Sequence, residues 1–234
     1  MMRTLHKHHR PDPARIVLTP ARLFWLGLMG AVIGALVETL FMLLTRGQLY
    51  NRSSLLWGQV SLVWGAGAVV FTLVLRRYIQ KGGWAVFLAG AFWGTVCELC
   101  CSLGLEYCFG VIFWDYSHLP LSLGGRINLF FSCYWGAAAT VWTLWILPWL
   151  SAFLDKFPAR ALHWGAALVA LLLAFDVAAT CLALLRLGTR QAGLPPQNGL
   201  EQYFDVHWND QRLAERFRHM RYMEDSYREH PDFW

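Results

Sequence analysis

Charge is what this chain has least of. Only 15% of its 234 residues are Asp, Glu, Lys or Arg, and 56% are hydrophobic. An ordinary soluble domain carries about 25% charged residues. The deficit excludes a water-soluble globular protein, and the apolar stretches reach the roughly 20-residue length that crosses a bilayer. Several signatures of chemistry are missing as well. No Gly-x-x-x-x-Gly-Lys phosphate loop occurs, so the chain cannot hydrolyse ATP by that route. No Gly-x-Ser-x-Gly elbow occurs, and Ser117 beside His118 is weak ground for a hydrolase. No aromatic-basic motif points to nucleic acid, because the net charge of +5 gathers at the amino end and in short loops, as membrane orientation requires. Cys97, Cys100, Cys101, Cys108, Cys133 and Cys181 lie in apolar segments and form no loop framework, so disulfides are not indicated. Cys97, Cys101 and Cys108 share a helical face and read as soft packing residues. No second ligand group stands at metal spacing. His6, His8 and His9 read as part of a solvated arm. No metal and no cofactor is expected, and no internal repeat stands out.

What is present is a polytopic membrane protein: an all-α bundle of about five transmembrane helices with a C-terminal amphipathic helix. Residues 1–21 form a basic cytoplasmic arm, 22–188 the transmembrane domain, and 189–234 a linker and amphipathic tail. The first apolar span is too long for a signal-peptide core and stays as a membrane helix. The spans are expected at 22–45, 54–75, 83–113, 127–149 and 162–187. Gly30 and Gly34 in the first form a small-xxx-small pair that lets another helix approach closely. The third is long enough to exceed the apolar core of about 30 Å, so it must tilt, break or project. Pro120 and Gly124-Gly125 end helix in the corner that follows it. Beyond Pro195-Pro196, Leu213, Phe217, Met220 and Tyr227 recur at helical spacing, as in a helix lying on the membrane or on the protein body. Lys and Arg counts place the amino end inside and the carboxyl end outside.

Against this apolar background the acids stand out. Glu38, Glu98 and Glu106 lie inside hydrophobic spans. Each would cost about 2.5–3.5 kcal/mol if left ionised in hydrocarbon, on the order of 10 kcal/mol together. They must be protonated, paired or wetted. The topology brings Glu38, Glu106 and Asp115 to one membrane face with Arg46, Arg52 and Arg126, while Glu98 lies nearer the midplane. Arginine offers a planar fork that matches a carboxylate or a phosphate. Glu98 and Glu106 are two turns apart on one side of a helix, about 12 Å along its axis, too far for a shared-proton dyad. Asp176 is a fourth buried acid, with Thr180 one turn on. Trp114, Tyr116 and Trp135 read first as interfacial anchors.

These residues also carry a family likeness. The string Trp114-Asp115-Tyr116-Ser117, then Pro120, Gly125-Arg126, Ser132 and Trp135-Gly136 resembles the signature of the bacterial family named putative ABC-transporter type IV. Upstream, Glu38, Asn51-Arg52, Trp64-Gly65 and Gly67 follow the same order, and Glu98 and Glu106 match the family's two acids. The likeness covers residues 24–157. It departs at Gln59 to Ser61, where the family has a Gly-Pro pair and a second proline, and at Ser102, where glycine is common. The resemblance implies a permease partnered with a separate ATPase subunit in the bacterial cytoplasmic (inner) membrane. A homodimer would complete a pathway, and the glycine faces permit one.

Three readings follow. In the first, the chain is a permease-like transport component that binds an ionic substrate or lipid headgroup in a Glu/Asp/Arg cavity. Glu38, Arg52, Glu98, Glu106, Trp114, Asp115, Tyr116 and Arg126 form its substrate-binding or proton-relay set. In the second, an intramembrane lipid-modifying enzyme or lipid-handling protein uses Asp115 and Glu106 for acid-base work on a headgroup held by Arg126 and Arg52. In the third, the chain is a structural or assembly subunit and the corner is a folding lock.

Overall fold

The computed structural model describes residues 16–47, 49, 52–218 and 220–222. The arm histidines, Asn51 and Tyr227 lie outside them, as does the side chain of Arg46. Among the described residues, five helices are long and apolar enough to cross a membrane. Helix α1 is Pro20–Arg46, started by Pro20 and by the Thr19 hydroxyl, which accepts from the Arg22 N–H, and stopped by Gly47 in the left-handed conformation. Helix α2 is Leu62–Val74 and tightens into a 3-10 stretch, Leu75–Lys81. Helix α3 is Gly83–Phe109, stopped by left-handed Gly110. Helix α4 runs Leu129–Leu154, with a π-helical stretch at Trp142–Ile146. Pro148 follows that stretch and cannot donate to the Leu144 carbonyl one turn back, which accounts for the widened turn. Helix α5 is Ala159–Gln191. Its 33 residues reach about 50 Å, so it projects beyond the apolar core.

The expected five-span bundle is present, with shifted borders. The second span does not begin at Ser54. Residues 52–61 are irregular backbone, and the helix instead continues through Arg76 and Arg77 to Lys81. The third stops at Phe109 rather than Phe113, because Gly110 terminates it. The fourth and fifth run longer than expected, to Leu154 and Gln191. The tail is not one helix but two short ones, α6 (Gly199–His207) and α7 (Asp210–Arg216), each capped by an asparagine, Asn198 and Asn209. Among the described residues there are also four two-residue strands: β1 (Val111–Ile112), β2 (Ser122–Leu123), β3 (Ile127–Asn128) and β4 (Arg221–Tyr222). β2 pairs with β3 inside the corner, and β4 pairs antiparallel with β1, Val111 opposite Tyr222.

Antiparallel spans create two faces. One gathers loop 52–61, the corner 110–128 and the tail; it is called the corner face below. The other gathers residues 16–19, the 3-10 stretch and the α4–α5 link. That amino-terminal half is close-packed: Leu26, Phe71, Leu75, Val86, Trp142, Leu147, Leu150 and Leu154 form one buried cluster. Arg22 pairs with Asp155 and donates to the Ser151 carbonyl, and Arg76 donates to the Ile16 carbonyl, so this face is stitched shut. The Gly30/Gly34 face is occupied by Ala68 and Trp64 of α2, so the close approach expected of it is made within the chain and not to a second copy.

Candidate functional site

Polar side chains concentrate in the corner half. Two tryptophans organise it. Gly34 of α1 lies where Trp64 of α2 packs, and Gly94 of α3 where Trp135 of α4 packs; a Cβ on Gly94 would sit 2.6 Å from Trp135 Cβ. Lacking side chains, both glycines let the indoles reach inwards, where the two rings meet with centroids 5.0 Å apart. Each indole N–H then donates to a glutamate. Trp64 Nε1 donates to Glu38 Oε1 at 2.8 Å, and Trp135 Nε1 to Glu98 Oε2 at 3.1 Å. The other oxygen of each carboxylate has its own partner. Arg52 Nε donates to Glu38 Oε2 at 3.2 Å, and the Tyr116 hydroxyl donates to Glu98 Oε1 at 2.9 Å. Glu98 is 5% exposed. Burial, and then the Glu98 carboxylate beside it, push the Tyr116 hydroxyl above its ordinary value, so the phenol stays a donor. Tyr116 is itself held by stacking on Phe131 at 4.5 Å and by donation from its N–H to the Gly125 carbonyl.

This lattice is a partition between two cavities. One, of about 440 Å³, runs between α1 and α4 and is lined mainly by apolar groups, among them Ile33, Val37, Phe41, Ala138 and Val141. The other, of about 500 Å³, lies under the corner and the tail, with Trp114, Cys101, Cys108, Arg216 and Arg218 in its wall. Glu38, Arg52, Glu98, Tyr116 and Trp135 line both. Volumes of this size suit small-molecule ligands.

The remaining expected residues go elsewhere. Glu106 does not continue a polar stripe from Glu98. It forms an ion pair with Arg126, which ties the end of α3 to the corner, while Trp114 Nε1 donates to the Arg126 carbonyl at 3.0 Å. Asp115 accepts from the Ser117 N–H at 2.9 Å and from the Ser117 hydroxyl. Neither Glu106, Asp115 nor Arg126 lines the two cavities. The expected set therefore divides: Glu38, Arg52, Glu98, Tyr116 and, at the rim, Trp114 are brought together around the cavities, and Glu106, Asp115 and Arg126 brace the corner. The serine beside His118 is engaged in this turn.

Loop 52–61 presents Arg52, and its irregular backbone must be satisfied at membrane depth. Asp176 of α5 does this: its carboxylate accepts from Gly58 N–H at 2.6 Å and Trp57 N–H at 3.3 Å, while the Thr180 hydroxyl accepts from Leu56 N–H. Asp176 is thus far more than a partner for Thr180. Arg216 of the tail clamps the same loop from the other side, donating to the Leu55 and Gly58 carbonyls. The tail is anchored in turn by α5. Buried Arg186 binds Asp205 with two 2.8 Å hydrogen bonds, and Arg190 binds Asp205 and Asp210. The Arg186 guanidinium, joined by Arg190, holds the Asp205 carboxyl down at about 2. Sequence reasoning missed Trp64 and Trp135 as donors, although both stand in the family-like strings, and missed Arg216 and Arg218 altogether. Nothing in an amphipathic tail rich in charged residues marks a lone arginine as a clamp.

Residues 25–181 match the family described as putative ABC-transporter type IV. The chain belongs to that family. The match runs further into α5 than the motif likeness, and it takes in Asp176 and Thr180 but not the tail. No curated protein and no solved structure matches the chain. A multi-pass, transporter-like membrane protein is the description that family and fold support together.

Proposed function

We propose that this chain is the permease-like membrane component of a transport system, paired with a separate ATPase subunit in the bacterial cytoplasmic membrane. The Glu38–Arg52–Glu98–Tyr116 lattice is its site for an ionic substrate or lipid headgroup. One observation carries the reading. A glutamate near the middle of a membrane helix, Glu98, is held by two neutral donors and borders two cavities at once. An intramembrane acid so placed suits a proton relay or a ligand contact. Its partners are a phenol and an indole rather than a cation, so either protonation state of the carboxyl finds hydrogen bonds there. The chain itself carries no phosphate loop, so any ATP-driven step needs a partner. The enzymatic alternative has less support, because Asp115 and Glu106, its acid-base pair, are engaged with Ser117 and Arg126.

The test is purification of the wild type and of Glu98→Gln from the native membrane in mild detergent, followed by native mass spectrometry. The expected result is a nucleotide-hydrolysing subunit with both proteins and an ionic ligand with the wild type alone. A ligand retained equally by Glu98→Gln would remove the site. Absence of any ATPase from both preparations would remove the permease assignment.

A further inference from the structure

The cavity between α1 and α4 has a shape that says more about its occupant. Helix α1 packs on the last turns of α4, Leu147–Leu154, where Arg22 reaches Asp155. Its packing on the first half of α4 is slighter. The two helices therefore diverge towards the corner face and leave a slot open sideways to the bilayer. Both rims are apolar and exposed: Val37 and Phe41 on α1 (47% and 41%), Tyr134 and Val141 on α4 (51% and 39%). The floor is Trp64, Phe71, Trp135 and Trp142. From Gly30 to Phe41 the slot extends about 16 Å, close to one leaflet's share of an apolar core of about 30 Å.

Its two ends differ in chemistry. The deep end, at Gly30, Trp142 and Ile146, is hydrocarbon. The end towards the corner face carries Glu38 with Arg52, Glu98 and Tyr116 lying deeper, and behind it is the second cavity, with Arg216 and Arg218 in its wall. A lipid in the leaflet of the corner face has this same polarity, with its head at the surface and its chain towards the midplane. Arg52 lines both cavities, and a guanidinium fork suits a phosphate.

We propose that the slot is a lateral entry site for an anionic phospholipid of the corner-face leaflet, one acyl chain lying between α1 and α4 and the phosphate meeting Arg52. This rests on the transport-site reading above and names its ligand class. The chain is recognised by shape and the head by charge, so the two can be separated.

The experiment uses the full chain in nanodiscs doped with phosphatidylglycerol carrying a diazirine on one acyl chain. A diacylglycerol with the same diazirine chain and inorganic phosphate are the two control ligands. Photolabelled peptides are mapped by mass spectrometry, and phosphate binding is read by calorimetry. Labelling is expected to concentrate on Val37, Phe41, Ala138 and Val141 over the lipid-facing side of α5 (Leu171, Phe175), by tenfold or more. Ala138→Trp, which fills the slot, should abolish that excess. Arg52→Gln should lower it at least fivefold for the phosphatidylglycerol and leave diacylglycerol labelling unchanged. Monodispersity on size exclusion and an unchanged thermal midpoint show that Ala138→Trp still folds. Uniform labelling of all lipid-facing helices, or an excess that survives Ala138→Trp, would overturn the slot. If inorganic phosphate binds and the lipid excess is absent, the polar site stands and the lipid assignment falls. If neither binds, both fall.

Discussion

The two halves of this bundle solve the membrane problem differently. The amino-terminal half buries Leu26, Leu75, Val86, Leu147 and Trp142 against one another and spends its few polar groups on stitches such as Arg22–Asp155 and Trp142–Thr72. The corner half carries Glu38, Glu98, Glu106 and Asp176, a loop without helical structure and two cavities. Polar groups at this depth are tolerated only when each has a partner, and here indoles, a phenol, arginines and backbone N–H groups supply them. The packed half acts as the rigid anchor from which the corner half can hold space open. A site needs both, since cavities without a stiff support collapse or lose their geometry.

Substitutions in the two halves should differ in cost and in what they disturb. The largest effect is expected in the packed half, where Leu147→Ala should cost about 2–5 kcal/mol through the void it leaves, read as a fall in the thermal midpoint in detergent. Next is Asp176→Ala in the corner half. It strands the Trp57 and Gly58 N–H groups at about 1–3 kcal/mol each, and Asp176→Asn should recover part of that because one acceptor remains. Hydrogen exchange in loop 52–61 is the direct measure, and protection unchanged by Asp176→Ala would show that the carboxylate does not hold the loop. Arg126→Ala follows, at about 1–3 kcal/mol. The Glu106 it leaves behind is only partly exposed, with 20% of its side-chain surface accessible. Proteolysis should then rise within residues 110–128.

A smaller, pH-dependent effect is expected at the tail. Asp205 is held at about 2 when folded, against about 3.9 for a free aspartate. A depressed carboxyl contributes stability that is complete above about pH 4 and is lost as pH falls through 2. Docking of α6 and α7, followed by exchange, should therefore be constant from pH 8 to 5 and weaken only between 4 and 2. Asp205→Asn should remove the dependence. The smallest effect is Val141→Ala in the slot, where an exposed rim residue should change stability by less than about 0.5 kcal/mol, in deliberate contrast to Leu147 two turns away on the same helix.

Much of the fold is legible residue by residue, and the failures have physical causes. Loop 52–61 reads as a span because Leu55, Leu56, Trp57 and Val60 make it apolar; hydropathy cannot register that Asp176, Thr180 and Arg216 satisfy its backbone instead of a helix. Span topology brings Glu38 near Arg52 and Glu106 near Arg126, and both ion pairs form. It does not reveal that Glu98 turns to Tyr116 and Trp135 while Glu106, two turns further along the same helix, turns away. Indoles look like interfacial anchors until a neighbouring glycine admits them inwards, as Gly34 and Gly94 do. Tail patterning locates Leu213 and Phe217 as buried positions, but a single helix breaks at Asn209, which caps the next one.

By itself the sequence determines that this is a bilayer-spanning helical protein of its family. The scarcity of charge and the length of the apolar runs leave the backbone no water to bond to, so each span must satisfy its own N–H and C=O groups as a helix. Which acid meets which donor, and where space is left between helices, only the tertiary structure decides. Those contacts join residues from 14 to more than 100 positions apart, and they depend on the depth and rotation at which neighbouring helices lock, set here by glycines facing tryptophans.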